Sequence, residues 1–147
     1  MLIISHRGNL SGKDLATENK PEHLVEVMQR FSVEVDLRVK NNKLYFGHDE
    51  AQYEINHDFL NTYREKLWVH CKDKESFEFA LKDNLNCFWH QTDDYTITSK
   101  GYVWAYPGKE KVGSLCIIAV PEVFWTVEET KNKHFLGVCT DYPLSYQ

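Results

Sequence analysis

VEVDLRVKNNKLYFGHD, residues 33–49, alternates apolar and charged side chains over its first seven positions and then breaks at two asparagines. Side chains of an extended strand point alternately to opposite faces, so Val33, Val35, Leu37 and Val39 share one face and Glu34, Asp36 and Arg38 the other. Asn41-Asn42 reads as a turn, and KLYFGHD (43–49) as a returning strand. Two carboxylates two positions apart on a half-buried strand repel unless a cation or a shared proton lies between them. Strands of a parallel sheet are normally apolar on both faces. Glu34 and Asp36 therefore read as ligands of a divalent metal ion, against the plainer alternative of an edge strand with a wet outer face.

Outward from this stretch, short strands alternate with short helical segments. LIIS (2–5) reads as a buried strand. A helix starts near Pro21, with Leu24, Val27, Met28 and Phe31 on one face. A second short helix falls at 58–65. LWVHCK (67–72) alternates again and places Trp68, His70 and Lys72 on one face. Asp73 caps a helix running to about Lys82. NCFWHQ (86–91), GYVWAY (101–106), SLCIIAV (114–120) and FLGVC (135–139) complete the strand candidates, with a polar helix around 126–133. About seven strands, with 44–48 as a hairpin partner, imply a parallel α/β arrangement whose outer helical layer is thin or incomplete.

The polar residues at strand ends carry the chemistry. His6 and His48 both follow apolar runs, and imidazole titrates near neutrality, so one can accept a proton while the other donates. Arg7 offers a planar fork suited to phosphate. His70 is a candidate third metal ligand and Lys72 a phosphate or carboxylate contact; the alternative for both is a solvated strand end. His90 is placed to reach a site rim, whereas His23 and His57 read as surface residues. The stretch from Tyr102 through Trp104 to Tyr106 reads as core strand plus turn, or as a stacking wall for a substrate alcohol.

The 147 residues suit a single domain, 1–147, and bury enough surface to fold without disulfides. The net charge of −5 disfavours nonspecific nucleic-acid binding, which needs a basic surface. Four widely spaced cysteines, each in a strand candidate, read as buried reduced thiols in a cytoplasmic setting. No signal peptide and no apolar run long enough to span a membrane are expected.

ISHRGN, then ATEN before a helix, then the ExD of VEVDLRV and the HD of FGHD, resemble the signature of glycerophosphodiester phosphodiesterases, and the closing GVCTDYP resembles that family's TDxP. The match is dense over 2–49 and 136–143 and loose between. The resemblance implies a TIM-barrel phosphodiesterase using Mg2+ or Ca2+, with His6 and His48 as general acid and base, Glu34 and Asp36 on the metal, and Arg7 and Lys72 on phosphate. A neighbouring hydroxyl of the substrate would attack phosphorus to give a cyclic phosphate. The implied partner is a small or lipid-derived phosphodiester.

Two departures stand out. The family's Glu-x-Lys triplet is His70-Cys71-Lys72 here, which moves the metal preference toward Mn2+ or Zn2+ or leaves His70 off the ion, with Glu122 a substitute carboxylate. The chain is also shorter than the roughly 200 residues or more of a full barrel, so a reduced TIM-barrel-like fold is expected, with open strand edges that favour a homo-oligomer. Two alternatives accompany the enzyme reading: an inactive phosphoryl-binding module on the same fold, and a phospholipase-type enzyme.

Overall fold

The structure, a computed structural model, describes residues 1–109 and 115–147. Strands β1 (Leu2–His6), β2 (Ser32–Lys40), β5 (Leu67–Cys71), β6 (Cys87–Phe88), β8 (Val103–Ala105), β9 (Cys116–Ala119) and β10 (Gly137–Thr140) run parallel in the spatial order β6-β5-β2-β1-β10-β9-β8. Three further strands are antiparallel: β3 (Lys43–Phe46) and β4 (Tyr53–Ile55) extend β2 as a meander, and β7 (Tyr95–Ile97) flanks β8. Ser114, the first residue of one strand candidate, lies outside the described residues.

The expected fold class does not hold. In place of a reduced, helix-surrounded TIM barrel, the chain forms a curled, sheet-dominated mixed fold. Among the described residues its α-helices are α1 (Pro21–Val27), α2 (His57–Tyr63), α3 (Lys74–Lys82) and α4 (Val127–Lys131), five to nine residues each. At 1.5 Å per residue, such helices cover only about 8–14 Å and cannot roof a strand and its neighbours. The connections before and after β2, residues 7–31 and 41–66, are taken up by loops, one short helix each and, in the second, the β3–β4 meander, rather than by one long helix. The N-caps are locally encoded: Pro21 opens α1, Asn56 accepts from the Phe59 amide at 2.9 Å, and Asp73 forms a capping box with Ser76.

The alternation of β2 and β5 sorts side chains between two cores. On the convex face Val33, Val35, Leu37, Leu67, Val69 and Cys71 pack with Leu24 and Val27 of α1, Leu60 of α2 and Ala80 of α3. On the concave face Ile4, Trp68, Phe88, Trp104, Ile117 and Cys139, one from each of six parallel strands, meet in a second cluster. The curl brings the two ends of the parallel run together through rings: Phe88 of β6 stacks on Trp104 of β8 at 4.4 Å. Backbone contacts supplement this join, with the Ser99 amide donating to the Cys87 carbonyl at 2.7 Å. All four cysteines are buried thiols outside any disulfide. No helix among the described residues is long and apolar enough to cross a membrane.

Candidate active site

The sheet register assembles the charged cluster. β1 and β2 pair His6 with Glu34, and β2 and β5 pair Asp36 with His70. With a period of two, Glu34, Asp36 and His70 all project to the concave side at the C-terminal ends of the parallel strands. Beyond β1 the chain turns away at once: Arg7 and Gly8 take positive φ of 54° and 90°, and the Arg7 amide donates to the Glu34 carbonyl at 3.0 Å. A bulky residue at positive φ is uncommon and is held there by its surroundings. His23 contributes to that hold. Its Nε2 lies 2.9 Å from the Gly8 carbonyl, so it is a half-buried brace of the turn rather than a surface residue.

Glu34 is 1% exposed and Asp36 is fully buried. Cations and amides surround them. Arg7 Nε stands 3.0 Å from Asp36 Oδ2, Lys72 Nζ 3.8 Å from Asp36 Oδ1, and His70 Nδ1 3.5 Å from both Glu34 Oε1 and Asp36 Oδ1. Asn19, at φ 61°, grips Asp36 twice: its amide donates to Oδ2 at 2.9 Å and its carbonyl accepts the Asp36 backbone N–H at 3.0 Å. Glu18 receives Arg7 Nη1 at 3.4 Å and Asn9 Nδ2 at 2.9 Å, which fixes the guanidinium from the far side. Burial alone would raise the Glu34 carboxyl, but His70, then His6 and Arg7, outweigh it and hold Glu34 well below the usual carboxylate range.

His6 belongs to this cluster. Its Nε2 lies 3.9 Å from Glu34 Oε2 and its Nδ1 2.7 Å from Asp141 Oδ1. Burial would lower the imidazole, yet the hydrogen bond to Asp141 and the Glu34 charge leave it raised; Asp141 is correspondingly lowered. Asp141 is itself oriented by Asn9, whose Nδ2 donates to Oδ1 at 2.8 Å, and by Glu122, which accepts the Asp141 amide at 2.8 Å and the Thr140 hydroxyl at 2.9 Å. Glu122 thus supports the end of β10 and is not part of the metal-ligand cluster. The His70 ring stacks against both Phe88 and His90, each with its centroid 4.8 Å away, and those two rings lie 6.1 Å from one another. Burial, followed by the His70 and Lys72 charges, lowers His90.

His48 is placed apart. Its side chain is 39% exposed and its Nδ1 pairs with Asp49 at 2.7 Å. His6, Arg7, Glu34, His70, His90 and Trp104 line one open cleft of about 160 Å³; His48 lines an adjoining depression with Glu18 and Asn19, and Arg7 faces both. Gly47, at φ 155°, cannot take a side chain, since a Cβ there would lie 2.0 Å from the Glu50 carbonyl, and this tight turn directs His48 outward. Three positioning residues had no assigned role in the sequence reading: Glu18, Asn19 and Asp141. Their signal was present in the ATEN and TDYP motifs, but Asp141 acts on a residue 135 positions away.

A metal fits the residues present. Donor atoms of Glu34, Asp36 and His70 lie within 4.8 Å of one another. Ligands about 2.1 Å from a four-coordinate ion sit roughly 3.4 Å apart, close to the 3.5 Å from His70 Nδ1 to each carboxylate. Among the described residues Glu34 Oε2 and Asp36 Oδ1 are buried and accept no hydrogen bond; ion pairs with His6, His70 and Lys72 at 3.5–3.9 Å offset part of that cost, and a bound cation would offset the rest. No protein-family model, no curated protein and no solved structure matches this chain.

Proposed function

We propose that the chain is a metal-dependent phosphodiesterase of the glycerophosphodiester type, with His6 as its proton-transfer group. The observation that carries this reading is the meeting of Glu34, Asp36 and His70, with two buried carboxylate oxygens that accept no hydrogen bond among the described residues, beside Arg7, Lys72 and His6. Carboxylates alone would suit any cation. Two fixed cations and an oriented imidazole next to them suit a phosphoryl group.

In this scheme Arg7 and Lys72 receive non-bridging phosphoryl oxygens. Arg7 is held in place by Glu18 and Asp36, so little reorganisation is needed on binding. Asp141 accepts from Nδ1 of His6, which fixes the tautomer and leaves Nε2 to exchange a proton with a substrate oxygen. A neighbouring hydroxyl of the substrate attacks phosphorus as its proton passes to Nε2 of His6, the P–O bond to the alcohol breaks, the departing alkoxide takes that proton, and water then opens the resulting cyclic phosphate to a phosphomonoester. A divalent ion on Glu34, Asp36 and His70 would supply charge stabilisation to the phosphoryl oxygens. Imidazole ligation favours Mn2+ or Zn2+ over Mg2+ or Ca2+. The four buried thiols support a reducing, cytoplasmic setting, and the open edges of β4 and β7 support association into a homo-oligomer.

One observation favours a second reading, a phosphoryl-binding module without turnover: the expected pair of His6 and His48 does not share the cleft. Cleavage of a glycerophosphodiester, measured with each of the four metals, separates the two. The enzyme reading predicts metal-dependent hydrolysis abolished by chelation and by His6→Ala. Phosphate binding without hydrolysis under any metal would establish the module, and hydrolysis that survives His6→Ala would remove His6 from the mechanism.

A further inference from the structure

The sheet has a second opening, at the end opposite the cleft. Strands β1, β2 and β5 begin at Leu2, Ser32 and Leu67, and β6 follows Asn86. These four residues line a cavity of about 400 Å³ that shares no lining residue with the cleft of His6 and Glu34. Its volume is that of a small-molecule site. Trp68 and Tyr102 add aromatic surface, their rings 5.0 Å apart, with Tyr102 partly exposed. Arg64 and Lys100 add two cations. Lys100 and Tyr102 flank Gly101 in a tight turn. Gly101, at φ 85°, donates to the Thr98 carbonyl at 2.9 Å, and the Thr98 amide donates to the Tyr102 carbonyl at 2.8 Å. Ser99 pins this turn beside β6: its amide donates to the Cys87 carbonyl and its hydroxyl to the Leu85 carbonyl, both at 2.7 Å. Arg64 is fixed by Asn61 Oδ1, 2.8 Å from Nη2 and 3.2 Å from Nε, and Asp83 at 3.5 Å takes up part of its charge. Lys100 Nζ donates to the neutral Asn84 side chain and makes no ion pair among the described residues. The carboxylate among the described lining residues, Glu65, is exposed and solvated.

We propose that this cavity binds a nucleoside monophosphate, its phosphate received by Lys100 and Arg64 and its base laid against Tyr102 and Trp68. Charged N–H donors are the strong partners of phosphate oxygens. Stacking of a base on an aromatic side chain works for every base, so the assignment is to the class and not to one base. Ser32 and Asn86 supply neutral polar groups suited to sugar hydroxyls. Free phosphate would use the cations alone and a nucleoside the rings alone, whereas the cavity offers both. The site stands or falls apart from the phosphodiesterase reading, because the two clefts have no lining residue in common.

The full chain, in chelator so that the cleft carries no metal ion, is titrated calorimetrically with AMP, adenosine and inorganic phosphate. AMP is expected to bind at one site, about tenfold or more tighter than either fragment. Lys100→Met should bring AMP down to the level of adenosine, and Tyr102→Leu to the level of inorganic phosphate. Lys100 is exposed, so its substitution remains informative if the tyrosine variant fails to fold. His6→Ala, which alters the other cleft, should bind AMP as the unaltered protein does. Three results overturn the site: no saturable binding of AMP, undiminished binding in Lys100→Met, or a loss in His6→Ala larger than that in Lys100→Met, which would put the nucleotide in the cleft of Glu34 and His70. GMP and UMP should bind within about tenfold of AMP; a protein that takes AMP and neither of these overturns the assignment to the class.

Discussion

Arg7→Met tests how the buried carboxylates are stabilised in the absence of metal. Asp36 has no solvent exposure, and its nearest cation is Arg7 Nε at 3.0 Å. Removing one partner of a buried pair costs about 3–5 kcal/mol, because the other charge stays buried and uncompensated. Lys72 at 3.8 Å, His70 at 3.5 Å and the two Asn19 hydrogen bonds remain, so the lower end applies, about 3 kcal/mol. For a chain of this size that is a fall in Tm of roughly 6–12 °C. Urea denaturation in chelator measures it directly. The double variant Arg7→Met/Asp36→Asn removes the stranded charge and is expected to recover more than half the loss. Mn2+ should also stabilise Arg7→Met more than the unaltered protein, since the ion takes over the missing positive charge. A loss under about 1 kcal/mol, or no recovery in the double variant, would refute the idea that Asp36 depends on this cation.

Other outcomes follow from the same geometry. In chelator, the His6–Asp141 pair should give a stability plateau with two limbs. His6 is raised, so its contribution is complete below about pH 6.5 and fades as pH rises through the higher folded value; Asp141 is lowered, so its contribution is complete above about pH 4 and fades as pH falls below it. Asp141→Asn should flatten the alkaline limb, read by urea midpoints between pH 5 and 9. In phosphodiesterase assays His6→Ala should lose about 10²–10⁴ in kcat, whereas His48→Ala, exposed and outside the cleft, should change it less than tenfold. Asn19→Ala removes both hydrogen bonds to Asp36 and should cost about 2 kcal/mol in denaturant midpoint measurements. Gly47→Ala, which would drive a Cβ against the Glu50 carbonyl, should destabilise comparably or more.

The strands flanking the site were legible because their chemistry is repetitive. In 33–39 every apolar residue has a charged neighbour, and this period predicted which side of β2 faces the helices and which the cluster. Trp68, His70 and Lys72 were placed on one face of β5 for the same reason. β4 and β7 were missed: three residues each, Tyr53–Ile55 and Tyr95–Ile97, are too short to display a period. The fold class misled because helix-surrounded barrels and curled sheets can share a strand order, and only the length of the covering helices tells them apart. The apolar run from Leu24 to Phe31 looked like two helical turns, yet α1 stops at Val27, and Met28 and Phe31 reach the core from the loop beyond it. His48 was unreadable for a different reason: Gly47 marks a turn, but which way that turn sends His48 depends on its φ and on the position of the Glu50 carbonyl, which the pattern of residue types does not encode.

The most direct test of the account is a crystal of the full chain soaked in Mn2+, with anomalous scattering used to locate the ion. The account predicts one strong peak about 2.0–2.3 Å from a carboxylate oxygen of Glu34, a carboxylate oxygen of Asp36 and Nδ1 of His70. A protein that takes up no Mn2+ there, with Arg7 and Lys72 alone neutralising the two carboxylates, would contradict it.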